Sequence, residues 1–181
     1  MFEYEVKICV DDVNLDELKM KLENMGFKRH ETSYEEDHYI DFRSCKNYVQ
    51  DSALRIRISR YNDGKMEYKL TFKGPRISRD VKAREEIEVE LKDERMLDVF
   101  RKLGFRDLMV KKVREKYSNG VLNVYIDDVK DLGKFLEIEM INPESIEVYM
   151  ENLKNLLKTL DLKDRELIYQ TYLEMMVERS Y

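Results

Sequence analysis

Between Phe2 and Met140 the chain repeatedly alternates apolar with charged residues at a period of two. Tyr4, Val6, Ile8 and Val10 oppose Glu3, Glu5, Lys7 and Cys9, and Leu54, Ile56 and Ile58 oppose Arg55, Arg57 and Ser59. Met66, Tyr68, Leu70 and Phe72 face away from Glu67, Lys69, Thr71 and Lys73, as Ile87, Val89 and Leu91 do from Arg84, Glu86, Glu88 and Glu90. The rhythm continues with Val113 and Tyr117 against Lys112, Arg114 and Lys116, then Leu136 and Ile138 against Glu137 and Glu139. Period two is the side-chain repeat of a β-strand, so these runs predict strands with one apolar and one charged face.

Helical spacing interrupts the strands. Asn14 is placed to cap a helix carrying Leu15, Leu18, Leu22 and Met25 and ending at Gly26, with Glu17 completing the capping pattern. Asp93 opens a second helix through Leu97, Phe100 and Leu103 to Gly104. Asn142-Pro143 starts a third with Ile146, Tyr149, Leu153, Leu156 and Leu157, and Asp164 caps a last one through Met176. Asn62-Asp63-Gly64 and Asn119-Gly120 mark hairpin turns. The organisation reads as strand–helix–strand three times over, an antiparallel α+β arrangement forming one domain over residues 1–181.

Composition narrows the function. The 33 basic residues are outnumbered by 38 acidic ones, which leaves no positive excess for general nucleic-acid binding. No apolar run reaches the roughly 18–20 residues of a membrane-spanning helix, so the expected setting is the cytoplasm, without a membrane partner. Two cysteines, Cys9 and Cys45, and two histidines argue against a disulfide framework and a zinc site. A metal, if used, falls to carboxylates, which select hard cations such as Mg²⁺ or Mn²⁺.

The charged strand faces admit two readings. One is an open sheet whose second face is simply solvated. The other is a site: Arg55, Arg57, Arg84 and Arg114 suit bidentate phosphate binding, and Glu3/Glu5, Glu86/Glu88 and Glu137/Glu139 are same-face pairs about 6–7 Å apart along a strand. His38 beside Asp37 and the apolar stripe of Tyr169, Tyr172, Leu173, Met175 and Met176 read more simply as an ordinary hydrogen bond and as core, with a homodimer left open.

The motifs carry a resemblance. Glu3-Tyr4-Glu5-Val6-Lys7 resembles the N-terminal ExExK signature of the CYTH superfamily, the triphosphate tunnel metalloenzymes. These include class IV adenylyl cyclases of the CyaB type, thiamine triphosphatases and inorganic triphosphatases. Asp37-His38-Tyr39-Ile40-Asp41, Leu54-Arg55-Ile56-Arg57, Lys73-Gly74-Pro75, Arg84 with Glu86 and Glu88, Lys112 with Arg114, Asp127, and Leu132 to Glu139 follow in the family's order. The resemblance implies a closed eight-stranded antiparallel β-barrel, the triphosphate tunnel, with helices packed outside. It implies that Lys7, Arg55, Arg57, Lys69, Lys73, Arg84, Lys112 and Arg114 bind the substrate, with Lys69 the poorest match. It further implies Mg²⁺ or Mn²⁺ on Glu3, Glu5, Glu86, Glu88, Asp127, Glu137 and Glu139, and a catalytic set of Lys7, Glu5, Arg57 and Asp127. Ile40 stands where relatives often place an aromatic, and the chain has no tryptophan, which counts against a specialised thiamine triphosphatase. The expected partner is a small triphosphate, ATP or tripolyphosphate. The leading reading is conversion of ATP to cyclic AMP and pyrophosphate, the alternative is triphosphate hydrolysis, and a minor one is a non-catalytic polyphosphate or nucleotide binder.

Overall fold

A computed structural model describes residues 2–76 and 82–179. Its strands are β1 (Phe2–Cys9), β2 (Lys28–Asp41), β3 (Ala53–Tyr61), β4 (Met66–Lys73), β5 (Lys82–Leu91), β6 (Arg106–Ser118), β7 (Asn123–Val129) and β8 (Gly133–Ile141). Its helices are α1 (Leu15–Asn24), α2 (Arg95–Lys102), α3 (Ile146–Thr159) and α4 (Tyr172–Arg179). All eight strands pair antiparallel in the order β1-β5-β4-β3-β2-β6-β7-β8, and β8 returns to β1, so the sheet closes into a barrel. Closure leaves no free edge and turns one face of every strand inward.

Glu5 and Lys7 are buried in the lumen, whereas Val6 and Ile8 point outward into the main core. Outside β1, β7 and β8 these residues pack with Leu18 and Leu22 of α1, Leu136 and Ile138 of β8, and Leu153 and Leu156 of α3. Tyr149 ties α3 to the wall by donating to the Ile138 carbonyl at 3.0 Å. Helices cover only part of the barrel, and the outward Ile87 and Val89 of β5 remain exposed.

Local signals behave as their chemistry demands at most boundaries. The Asn14 side chain accepts from the amides of Asp16 and Glu17 to start α1, and Gly64 and Gly120 take positive φ at the two hairpins, where a side chain would be strained. Three expectations need correction. Strand–helix–strand occurs twice, around α1 and α2, because α3 is followed by α4 and not by a ninth strand. Helix α3 begins after Ser145, whose hydroxyl accepts from the Val148 amide, while the Asn142 side chain instead accepts from the Phe2 amide. The last helix does not start at Asp164: the chain first lies beside β1, with Lys7 and Ile168 exchanging both backbone hydrogen bonds. Thr171 and Glu174 then cap α4 reciprocally, each side chain accepting from the other's amide. Among the described residues no helix is long and apolar enough to cross a membrane.

Candidate active site

The lumen contains a cavity of about 1000 Å³. Its basic groups come from five strands, and most of them are held by carboxylates; Arg84 instead reaches the part-exposed Asp51 at 3.3 Å. Asp37 of β2 receives Arg57 in bidentate fashion, at 2.6 Å from Nε and 2.9 Å from Nη2, together with Lys112 Nζ at 2.6 Å. Arg55 stands 3.8 Å from the same carboxylate. Glu35, two residues earlier and on the same face, pairs with Arg57 at 3.2 Å and Lys112 at 2.9 Å. Arg114 lies bidentate on Asp127 and reaches Glu137 at 2.9 Å. Lys7 Nζ bridges Glu5 at 3.0 Å and Glu137 at 3.1 Å, and Lys73 bridges Glu3 and Glu86.

Burial raises the Glu35 carboxyl, but Arg57 and Lys112 outweigh it and hold the group at about 2. Asp37 is likewise held well below the usual range, burial being overcome by Arg57 and Lys112. These acids stay ionised and keep the basic side chains pre-oriented. Among the described residues, the buried Nε atoms of Arg55 and Arg84 have no hydrogen-bond partner and can serve a ligand. Leaving such donors dry is costly, and an anion relieves it.

The acids near Glu3 behave differently. Glu139 is pushed up to about 7, first by burial and then by the neighbouring Glu3 carboxylate. Its oxygens accept from Asn123 Nδ2 at 3.0 Å and the Tyr125 hydroxyl at 3.1 Å. Glu86 stays low, at about 2, where burial is offset by hydrogen bonding to Glu3 and by Lys73. Among the described residues no three acidic, histidine or cysteine side chains already converge as a metal cage, since Lys7 and Lys73 occupy several of the carboxylates. The donor chemistry nonetheless fits a hard divalent cation: Glu139 and Glu3 are oxygen ligands crowded together, and a cation between them removes the repulsion that raises Glu139.

The structure brings Lys7, Arg55, Arg57, Lys73, Arg84, Lys112 and Arg114 to the lumen with Glu3, Glu5, Glu86, Glu137 and Glu139. Lys69 and Glu88 also line it, but as a partly exposed pair 3.0 Å apart. Asp127 is fully buried, with Arg114 and the Tyr172 hydroxyl on its oxygens, an arrangement that suits an anchor for Arg114 more than a metal ligand. Ile40 packs with Ile56 and Leu97, and Tyr39, Phe42 and Tyr48 supply the aromatic lining nearby. His38 points outward to Asp107 at 2.7 Å.

Glu35, Tyr125 and Tyr172 were absent from the expected site, and Asp37 entered it only as part of a motif. The alternation Ser33, Glu35, Asp37, Tyr39 places the β2 acids inward and was readable in the sequence. No local pattern announces Tyr172, which α4 delivers to the end of the lumen, where its ring lies 5.0 Å from Lys7 Nζ.

A family model, the CYTH domain, matches residues 1–175. A Methanocaldococcus jannaschii protein, provisionally named an adenylate cyclase, is 37% identical over 186 aligned positions, covering 97% of this chain and 98% of that one. A Pyrococcus horikoshii protein of known structure superposes with a TM-score of 0.78 at 36% identity, over 98% of this chain and 99% of its own. The fold is shared at 20% identity by a Hippeastrum protein provisionally named an adenylyl cyclase and described as revealing a dominant triphosphatase activity; the TM-score is 0.61, over 99% of this chain and 95% of that one. The closed barrel, its inward charges and a match over nearly all the chain establish that this protein belongs to the CYTH domain family.

Proposed function

We propose that the protein is a metal-dependent enzyme of the cytoplasm, a single unit over its 181 residues, that converts ATP to cyclic AMP and pyrophosphate. The observation that carries this reading is the lumen itself, where basic groups from β1, β3, β4, β5 and β6 surround one cavity beside the Glu3–Glu139 carboxylates. Lys7, Arg55, Arg57, Lys73, Arg84, Lys112 and Arg114 grip the phosphate oxygens, and Asp37, Glu35 and Asp127 hold Arg57, Lys112 and Arg114 so that these three need little reorganisation. Lys7, already between Glu5 and Glu137, moves its donors onto the oxygens that gain charge as the anhydride breaks. Glu3 and Glu139, with Glu5, Glu86 and Glu137 near them, would hold Mg²⁺ or Mn²⁺, which when bound supplies charge neutralisation at the phosphates and acidifies an attacking hydroxyl. Asp127 acts through Arg114, and Lys69 with Glu88 frames an opening of the channel.

An organic triphosphate is favoured over an inorganic one because the cavity is lined also by Phe42, Tyr48, Leu54, Leu173 and Val177, apolar groups suited to a nucleobase. Hydrolysis is the second reading, supported by the description given to the Hippeastrum protein. Phosphorus NMR with ATP or tripolyphosphate and Mg²⁺ or Mn²⁺ separates them: cyclic AMP with pyrophosphate is the expected result, orthophosphate release favours the hydrolase, and consumption of neither substrate overturns both. Glu139→Gln should lower kcat by at least about a hundredfold while keeping appreciable anion affinity. A protein whose only measurable property is that affinity, in wild type as in variant, is a binder.

A further inference from the structure

One buried side chain in the lumen wall touches both halves of the site and belongs to neither. Tyr125, on β7, is 8% exposed. Its ring carries the Arg114 guanidinium 4.2 Å above the centroid, and its hydroxyl donates to Glu139 at 3.1 Å. Arg114 is a phosphate-gripping group of the proposed reaction and Glu139 a metal-holding one, so this tyrosine is the shared neighbour of a cation and an anion with different ligands. The register explains the placement: Tyr125 lies opposite Glu137 on β8 and Lys116 on β6, while Asp127, two residues on, faces Arg114 directly.

We propose that Tyr125 is a positioning residue shared by the phosphate and metal sites, fixing the Arg114 plane with its ring and the Glu139 carboxylate with its hydroxyl. The two contacts are chemically separable. A guanidinium stacked on an aromatic face loses hydration cheaply, and Asp127 and Glu137 hold this one only through Nε and Nη2, at its edge, leaving its plane to the ring. A hydroxyl on one carboxylate oxygen, with Asn123 on the other, sets how Glu139 is presented to an incoming cation. A tyrosine that only filled volume would be replaced by phenylalanine without consequence at Glu139, and its loss would disturb both ligands alike.

This inference rests on the proposed function for the roles of Arg114 and Glu139, and its test uses binding measurements that require no turnover. Mn²⁺ binding to the full chain is followed by the electron paramagnetic resonance signal of the free ion, and tripolyphosphate binding at saturating Mg²⁺ by calorimetry. Tyr125→Phe keeps the ring and should weaken Mn²⁺ about tenfold while changing tripolyphosphate affinity less than about twofold. Tyr125→Leu removes both contacts and should weaken tripolyphosphate roughly tenfold in addition. If Tyr125→Phe leaves Mn²⁺ affinity unchanged, or lowers both affinities equally, the two-contact positioning role is overturned. Should Tyr125→Leu fail to fold, the near-isosteric phenylalanine variant still decides the hydroxyl's part. A wild-type chain that binds both ligands but turns over neither ATP nor tripolyphosphate sinks the enzymatic reading and leaves the positioning role standing, and one that binds neither ligand sinks both.

Discussion

Asp37 concentrates more positive charge than any single contact suggests: Arg57, Lys112 and, at longer range, Arg55 all depend on it, and it is only 1% exposed. Asparagine keeps its shape but removes the charge that justifies burying those cations. Asp37→Asn should therefore destabilise the fold by about 3–5 kcal/mol, read from the urea midpoint, with an unchanged unfolding slope. Glu35 makes the same argument testable by pH. Its folded carboxyl sits at about 2 against an ordinary 4.5, so the folded state binds fewer protons there than the unfolded state. Its stabilising share is full above pH 4.5 and is lost as pH falls from 4.5 through about 2. Urea midpoints should fall across that window, and Glu35→Gln should flatten the fall. A variant with the same slope as wild type would remove Glu35 from the explanation.

At the scale of elements, α4 is the piece whose position matters most relative to its length. Eight residues long, it is too short to persist without a cap and tertiary contacts. It is held by the Thr171–Glu174 box, by Tyr172 against Phe135 and Asp127, and by Arg76, which joins Glu174 to Asp51. Thr171→Ala removes one half of the box and should cost about 1 kcal/mol locally. Amide exchange over 172–179 should then speed up several-fold while β1 and β8 exchange as before; uniform acceleration would show that the helix is part of one cooperative unit with the barrel. The register between β1 and β8, which sets Lys7 opposite Glu137 and Glu5 opposite Glu139, explains why the barrel strands should hold.

For the whole molecule the deciding quantity is the charge inside the barrel. Seven basic groups, Lys7, Arg55, Arg57, Lys73, Arg84, Lys112 and Arg114, meet eight carboxylates: Glu3, Glu5, Glu35, Asp37, Glu86, Asp127, Glu137 and Glu139. With Glu139 protonated these described groups balance at seven of each sign, so they offer a polyanion no net attraction unless cations accompany it. Removing divalent ions with EDTA should weaken tripolyphosphate binding at least tenfold by calorimetry, and equal affinity with and without metal would contradict that balance. Much of this was legible in the sequence: most strands, both hairpins, the α1 cap and much of the inward face follow from consecutive residues, because a strand's side-chain period and a capping hydrogen bond are properties of a few neighbouring positions. The longest strand, β2 (Lys28–Asp41), is not among the apolar–charged runs that predict strands. Family motifs supplied the closed barrel. The start of α4 was misplaced because Asp164 looks like a cap locally, while the backbone of Ile168 finds its partner on β1. The pairing of Lys112 with Asp37, 75 residues away, the arrival of Tyr172 on Asp127 and the contact of Tyr125 with both Arg114 and Glu139 depend on which strands and helices become neighbours. Alternation along each strand is written in the chain and sets which side chains face inward; which of them meet follows from closure of the barrel, because strand order and register set distances between residues far apart in the chain.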